Sequence, residues 1–291
     1  MKKILITGAN GQLGNEMRVL FGLYPQFEFF PTDIEELDLC NKDAIDSFIC
    51  EKNIDYIVNC AAYTAVDKAE DDVELCYKIN RDAVGNLAKA ASGKAKIIHV
   101  STDYVFDGQA KYPYKETDAT NPQSVYGKSK KAGEDILLEN CKDCIIIRTA
   151  WLYSSFGGNF VKTMMRLGKE KDTLNVVADQ IGSPTYAADL AKAIMDIIVF
   201  CEKNHSFPAG IYHYSNESVC SWYDFTLKIH DFAGVTTCKV NPITTDQYPT
   251  KATRPMYSVL DKTKIKETFE LEVPDWDASL RECIINHLQK M

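Results

Sequence analysis

Residues 3–14 read Lys-Ile-Leu-Ile-Thr-Gly-Ala-Asn-Gly-Gln-Leu-Gly, an apolar run that empties into three glycines, Gly8, Gly11 and Gly14. The pattern reads as strand, tight turn and helix start, the opening unit of a doubly wound α/β fold. Gly8 permits the turn. Gly11 lets a pyrophosphate approach the main chain because no Cβ stands in the way, and Gly14 lets the helix pack closely on its strand. Just after Asn10, the helix N-terminus offers unpaired N–H groups and a positive dipole end to an anion. Three spaced glycines also occur in loops of no function. Here a β-type run precedes them and the apolar period Leu13, Met17, Leu20, Phe21 follows, which favours a dinucleotide site.

The 291 residues suffice for one large α/β domain or for two lobes sharing a cleft. With 45% hydrophobic and 25% charged residues, the composition is that of a globular enzyme and excludes a disordered chain. A net charge of -8 repels nucleic acid, so any anionic ligand must be held by local groups. The ten cysteines are scattered and no apolar leader precedes the first strand, so reduced thiols and a cytoplasmic location are expected. Cys141 and Cys144 have CxxC spacing but no second pair at zinc-ribbon distance; two small hydrophobes at a helix–strand junction are expected, and no metal site. No apolar stretch approaches the roughly 18 residues that suggest a membrane span.

Strand and helix patterns then alternate. Residues 27–30, 54–59 and 96–100 read as strands, 42–51 and 73–92 as helices, and 106–122 as a Gly/Pro-rich loop. Four alternations in the first hundred residues imply a parallel sheet with helices on both faces. Residues 124–138 read as helix and 144–149 as the next strand. Residues 174–178 and 211–215 look like strands returning to the sheet, with helices at 160–167 and 187–201. The expected architecture is a Rossmann-type doubly wound parallel sheet with a smaller, interleaved C-terminal substrate-binding lobe. Residues 1–150 and 172–216 are assigned to the dinucleotide-binding domain, and 151–171 and 217–291 to the lobe.

Asp33 follows the second strand, about 20 residues past the last glycine, where a carboxylate binds a ribose 2′-hydroxyl and repels a 2′-phosphate. This leans toward NADH; a plain loop carboxylate beside Glu35 and Glu36 is the other reading. Tyr126 and Lys130 stand four apart in the helix that begins near Ser124, so they share one face with Cβ atoms roughly 5–6 Å apart. A nearby ammonium draws a phenol's pKa down from about 10 toward the working pH. Thr102, at the end of the fourth strand, offers a hydroxyl to hold a carbonyl oxygen against that phenol. Such a Tyr–Lys pair is often surface decoration. Behind a glycine turn and a Ser-Thr-Asp strand end, it reads as catalytic.

On these motifs the chain resembles the extended short-chain dehydrogenases/reductases and, within them, the dTDP-4-dehydrorhamnose reductases along its whole length. The resemblance is carried by residues 7–14, 59–70, 101–108, 125–130, 148–151, 179–185 and 254–255. The glycine motif and the Tyr–Lys pair mark only the superfamily. The Thr-Ala-Val-Asp-Lys-Ala-Glu, Ser-Thr-Asp-Tyr-Val-Phe-Asp-Gly and Asp-Gln-x-Gly-x-Pro-Thr runs are far more specific. One departure is Ala150-Trp151, where the family usually has Ser-Trp.

The resemblance implies reduction of the 4-keto group of a dTDP-linked sugar, with Tyr126 as proton donor, Lys130 tuning it and binding the cofactor ribose, and Thr102 orienting the carbonyl. It further implies main-chain pyrophosphate contacts from Gly11, Gln12 and Leu13, with Asp38 and Leu39 beside the adenine. Ala61, Ala62 and Tyr63 line the way to the nicotinamide, and Asp103 and Trp151 meet the sugar. Arg254 is a weaker candidate for the substrate diphosphate, with a surface arginine as the other reading. Family members often accept both NADPH and NADH, which loosens the preference drawn from Asp33. The implied partner is a small-molecule nucleotide sugar, with no nucleic acid and no membrane, and a homodimer stays open. Two other classes stay open too: an epimerase or dehydratase of the same superfamily, and a non-catalytic dinucleotide-binding regulatory subunit.

Overall fold

In the computed structural model, which describes residues 1–288, the apolar runs read as strands at 54–59 and 144–149 lie inside the central sheet. In chain order the first half runs β1 (Lys2–Thr7), α1 (Gln12–Val19), β2 (Phe27–Thr32), α2 (Lys42–Lys52), β3 (Tyr56–Asn59), α3 (Val73–Tyr77), α4 (Ala83–Ala91), β4 (Lys96–Thr102), α5 (Val125–Asn140) and β5 (Cys144–Thr149). There follow β6 (Leu152–Tyr153), α6 (Phe160–Glu170), β7 (Thr173–Val177), β8 (Ile181–Gly182), β9 (Thr185–Tyr186) and α7 (Ala187–Asn204). The remainder is β10 (Gly210–His213), β11 (Cys220–Ser221), α8 (Trp222–Ala233), β12 (Lys239–Ile243), α9 (Thr263–Phe269) and α10 (Trp276–Glu282).

Six strands form a parallel sheet in the order β10-β5-β4-β3-β1-β2. Every residue of β3 and β5 is buried, as strands covered on both faces must be. Successive side chains alternate between two cores. Ile4, Ile6, Val58, Ile98, Ile145 and Ile147 pack with α1 and α7 on one face. Leu5, Ile57, Ile97 and Ile146 pack with α2, α4 and α5 on the other. Cys141 and Cys144 sit in that second core as small apolar groups. Each such aliphatic side chain contributes about 1.5–3 kcal/mol by leaving water. The order reverses between β1 and β3, so the loops after these two strands diverge and leave a crevice at their carboxyl ends.

Two expectations are corrected. Residues 174–178 do not return to the central sheet: β7 pairs in parallel with β12 as a separate ribbon. Its burial alternates, with Thr173 and Asn175 exposed and Leu174 and Val176 buried, the pattern of a strand with one wet face. The helix expected over 73–92 is interrupted by a π turn, Lys78–Asp82, between α3 and α4. That turn buries Asn80, whose side chain accepts from the Tyr63 N–H at 2.8 Å and donates to the Tyr63 carbonyl at 3.0 Å and Ser129 Oγ at 3.0 Å. A π turn of this kind commonly marks a functional position. A third core, containing Tyr153, Val161, Phe225, Trp276 and Leu280, holds α6, α8 and α10 together beside the sheet. Among the described residues, no helix is long and apolar enough to cross a membrane.

Candidate active site

The turn after β1 is built on close approach. A Cβ on Gly8, whose φ is +63°, would lie 2.7 Å from the Ala61 nitrogen in the loop after β3. One on Gly14 would lie 2.3 Å from the Gly8 carbonyl oxygen and 2.5 Å from Ala9 Cα, which explains why α1 sits so near its strand. Gly11 is the N-cap of α1, and no side chain caps that first turn. Its N–H groups are therefore available to an anion. Leu13 is buried, and the Gln12 side-chain oxygen accepts from Asn159 at 2.9 Å, tying the turn to α6.

Asp33 braces the same turn. One carboxylate oxygen accepts from the Asn10 N–H at 3.0 Å and the other from the Ile34 N–H at 2.8 Å. Asp38 is exposed and accepts from the Cys40 N–H at 2.8 Å, while the Leu39 carbonyl accepts from Asn86 at 3.0 Å. After β3, Ala61, Ala62 and Tyr63 are all half-buried along the crevice, and the Tyr63 hydroxyl donates to Asp72 at 3.0 Å.

Thr102 ends β4, and Tyr126 opens α5 behind its Ser124 cap. Burial pushes the Tyr126 phenol above its ordinary value, and the adjacent Thr102 hydroxyl pulls it back only in part. The expected downward pull of Lys130 on this phenol is not what prevails, because desolvation opposes the phenolate throughout the site. Lys130 turns its ammonium instead to the Val100 carbonyl at 2.7 Å and faces His99 Nε2 at 3.5 Å. Its own pKa falls to about 8 because it is buried, with Glu134 opposing that fall. His99 is buried and held well below the usual imidazole range, so it is neutral. Its tautomer follows from Asn59. The Asn59 carbonyl oxygen accepts from Thr7 Oγ1 at 2.7 Å and the Ala61 N–H at 3.2 Å, which leaves its amide nitrogen to donate to His99 Nδ1 at 2.9 Å. The His99 hydrogen is thereby assigned to Nε2, on the Lys130 side.

A cleft of about 650 Å³ opens between the sheet half and the C-terminal elements. Tyr104 forms part of its wall and meets the Tyr126 ring edge-on at 5.5 Å. Trp151 lines it too, held at φ +49° and stacked on Trp222 at 3.6 Å. A Cβ on Gly182 would stand 2.6 Å from the Trp151 ring, so that glycine makes room for the indole. Arg254, at the mouth, donates to the Tyr104 hydroxyl at 3.0 Å and pairs with Asp67. Asp103 accepts from the Thr102 hydroxyl at 2.9 Å, and burial raises its pKa to about 7. The Ser258 hydroxyl stands beside the same carboxyl and partly opposes that rise.

The structure thus gathers Thr102, Asp103, Tyr126 and Lys130 at one sheet edge, beside the glycine turn. Sequence reasoning missed Trp222, Asp67, Asn80 and a buried Glu134–Arg148 pair. Trp222 lies 71 positions from the indole it stacks on, and nothing local announces such a contact.

A family model described as RmlD substrate binding domain matches residues 1–289. The chain is 45% identical to a dTDP-4-dehydrorhamnose reductase of Aggregatibacter actinomycetemcomitans, over 97% of this chain and 98% of that one. It is similar to the crystal structure of a dTDP-4-dehydrorhamnose reductase from Clostridium acetobutylicum, with 46% identity, a TM-score of 0.92 and coverage of 99% and 100% of the two chains. The dTDP-4-dehydrorhamnose reductase of Bacillus anthracis, in complex with NADP, gives 40% identity, a TM-score of 0.92 and coverage of 98% and 100%.

Proposed function

The chain belongs to the RmlD substrate binding domain family, and from that premise we propose that it reduces the 4-keto group of dTDP-4-dehydro-β-L-rhamnose to dTDP-L-rhamnose, using NADPH or NADH. The observation that carries this reading is the convergence of Thr102, Tyr126 and Lys130 beside an uncapped helix N-terminus at the point where the strand order reverses. The same reading makes the substrate a small nucleotide sugar and the compartment the cytoplasm. The test is loss of NADPH absorbance on addition of the dTDP-4-keto sugar; no turnover would favour the regulatory-subunit alternative.

The glycine turn fits a dinucleotide: Gly11 keeps the approach to the first turn of α1 open, while Gly8 and Gly14 are pressed against main chain. A bound dihydronicotinamide supplies the hydride to C4. As the alkoxide develops, Tyr126 gives up its proton, and burial guarantees that the phenol holds one at neutral pH. Thr102 turns its hydroxyl from Asp103 toward the carbonyl oxygen and orients it. Lys130 binds the ribose and supplies positive charge to the phenolate as it forms.

Asp103 gives this mechanism a pH dependence. Ionised, it holds the Thr102 hydroxyl and raises the Tyr126 pKa, so kcat is expected to fall as pH climbs through about 7. Asp103→Asn should remove that step from the kcat profile. Stability gives an independent reading. The folded carboxyl keeps a proton up to about 7 that the unfolded one has lost above 3.8, so its contribution to stability declines as pH rises across that window. Denaturant unfolding at the two ends of the window should show a shallower loss of stability with pH in Asp103→Asn than in wild type, since Glu16, Glu116 and Asp189, also raised by burial, contribute to both.

Arg254 is read as the anion site at the mouth, exchanging Asp67 for the substrate diphosphate. A hydrogen bond to a charged group contributes about 1.5–3 kcal/mol, so Arg254→Met should raise the sugar-nucleotide KM by roughly ten- to a hundredfold. Because the contact is the same in ground and transition states, kcat should change little. Asp67→Asn should lower KM. Initial-rate measurements on both variants check the pair, and an unchanged KM in Arg254→Met would leave it a structural arginine.

A further inference from the structure

Glu134 lies on α5 one turn beyond Lys130 and two beyond Tyr126, yet it is fully buried. Its two oxygens accept a bidentate pair of hydrogen bonds from Arg148 of β5, Nε at 2.9 Å and a terminal nitrogen at 2.7 Å. One of those oxygens also accepts from Ser101 Oγ of β4 at 2.6 Å. Ser101 and Arg148 are register partners in neighbouring parallel strands, and the next pair along is Thr102 with Thr149. The other side of the guanidinium lies over the Phe106 ring at 5.1 Å.

A salt bridge this deep is an inefficient source of stability, since apolar residues of the same volume commonly serve as well or better. What it supplies instead is fixed geometry, because a planar fork meeting a planar carboxylate admits one arrangement. We propose that Glu134 is a positioning residue for the reduction described above: with Arg148 and Ser101 it locks the ends of β4 and β5 to α5, so that Thr102, Tyr126 and Lys130 keep one mutual geometry. The inference rests on the proposed function, since only that chemistry needs those three groups in register.

The clamp has an electrostatic corollary. The groups facing Lys130 are Glu134 from its own helix, His99 from β4, Cys76 from α3 and Cys60 from the loop after β3. His99 is neutral and both thiols are raised by burial, and of the four Glu134 makes the largest favourable contribution to the Lys130 ammonium. Its carboxylate opposes the burial that brings Lys130 down to about 8.

Two variants test the proposal, with Tyr126→Phe assayed beside them. Glu134→Gln keeps the volume but sets an amide N–H against the Arg148 fork; Ser101→Ala removes one link and no charge. Misplacing reacting groups by about 1 Å costs on the order of a hundredfold. Both variants should therefore lose kcat, Glu134→Gln up to about that factor and Ser101→Ala less, with sugar KM little changed and NADPH affinity kept at pH values where Lys130 is still protonated. Above the Asp103 step near 7, a second alkaline step of the kcat/KM profile is expected at the Lys130 pKa of about 8; it should move to lower pH in Glu134→Gln and stay in place in Ser101→Ala. Misfolding alone would lower the active fraction without moving that second step. Wild-type kcat and an unmoved second step in Glu134→Gln, with Tyr126→Phe inactive, would overturn the clamp and leave the proposed function standing. If Glu134→Gln does not fold, Ser101→Ala decides: wild-type kcat there overturns the proposal, reduced kcat with unchanged KM supports it. Turnover retained by Tyr126→Phe would instead count against the proton-donor reading.

Discussion

Tyr126→Phe is expected to lower kcat by about 10²–10⁴-fold, the usual worth of a positioned general acid, while NADPH affinity barely moves. The substitution removes one atom from a ring that is nine-tenths buried and packed edge-on against Tyr104, so the wall of the cleft is preserved. What goes is the proton, together with the contact to Thr102. Lys130→Met should behave differently. The ammonium is buried against the Val100 carbonyl and faces His99, and it is assigned to the ribose as well as to the phenolate. Its loss should therefore weaken NADPH binding and slow the chemistry together. A kcat profile for both variants, with calorimetric NADPH titrations, separates the two roles. A phenylalanine variant turning over at the wild-type rate would move the proton donor elsewhere in the site.

The centre of the fold was legible because its strands obey a strong rule. A strand covered on both faces is apolar at nearly every position, and residues 144–147, Cys-Ile-Ile-Ile, are buried as their sequence demands. Residues 173–177 carried the opposite signal, polar Thr173 and Asn175 alternating with Leu174 and Val176, and that alternation belongs to the ribbon with β12. That Tyr126 and Lys130 share a buried helix face could be read because helix spacing is a local rule. Glu134 could not: by the same spacing a glutamate in a lysine-rich helix reads as a solvated face, and only the fold brings Arg148 and Ser101 onto it. The sign of the Tyr126 shift was out of reach for a related reason, since burial is a property of the folded molecule and here it outweighs a neighbouring charge.

Gly14→Val and Gly11→Val should fail in opposite ways, and the contrast bears directly on the cofactor site. At Gly14 a Cβ meets main-chain atoms at 2.3 and 2.5 Å, which cannot swing aside as a flexible side chain would. The helix must lift from its strand, disturbing Leu13 and Met17 in the core, at a cost at or above the roughly 1–3 kcal/mol typical of overpacking. A fall in Tm of several degrees follows, at about 2–4 °C per kcal/mol for a large domain. Gly11 is different: its φ is -73°, open to any residue, and the one neighbour within 4 Å of an added Cβ is the Gly8 carbonyl oxygen at 3.2 Å. Stability should fall by no more than about 1 kcal/mol, the scale of a changed cap. Like α3, α4, α7 and α9, α1 has no side-chain cap, and it is the one of these that opens directly from the glycine turn after β1. On the proposed reading a pyrophosphate binds the N–H groups of its first turn, and a valine beside them would deny it that approach. Losing two charge-assisted hydrogen bonds, each about 1.5–3 kcal/mol, predicts an NADPH affinity lower by a hundredfold or more. Thermal unfolding and calorimetric titration of the two variants read this out. If Gly11→Val bound NADPH as tightly as wild type, the glycine turn would be a packing device alone, and the dinucleotide would have to be held elsewhere along the crevice.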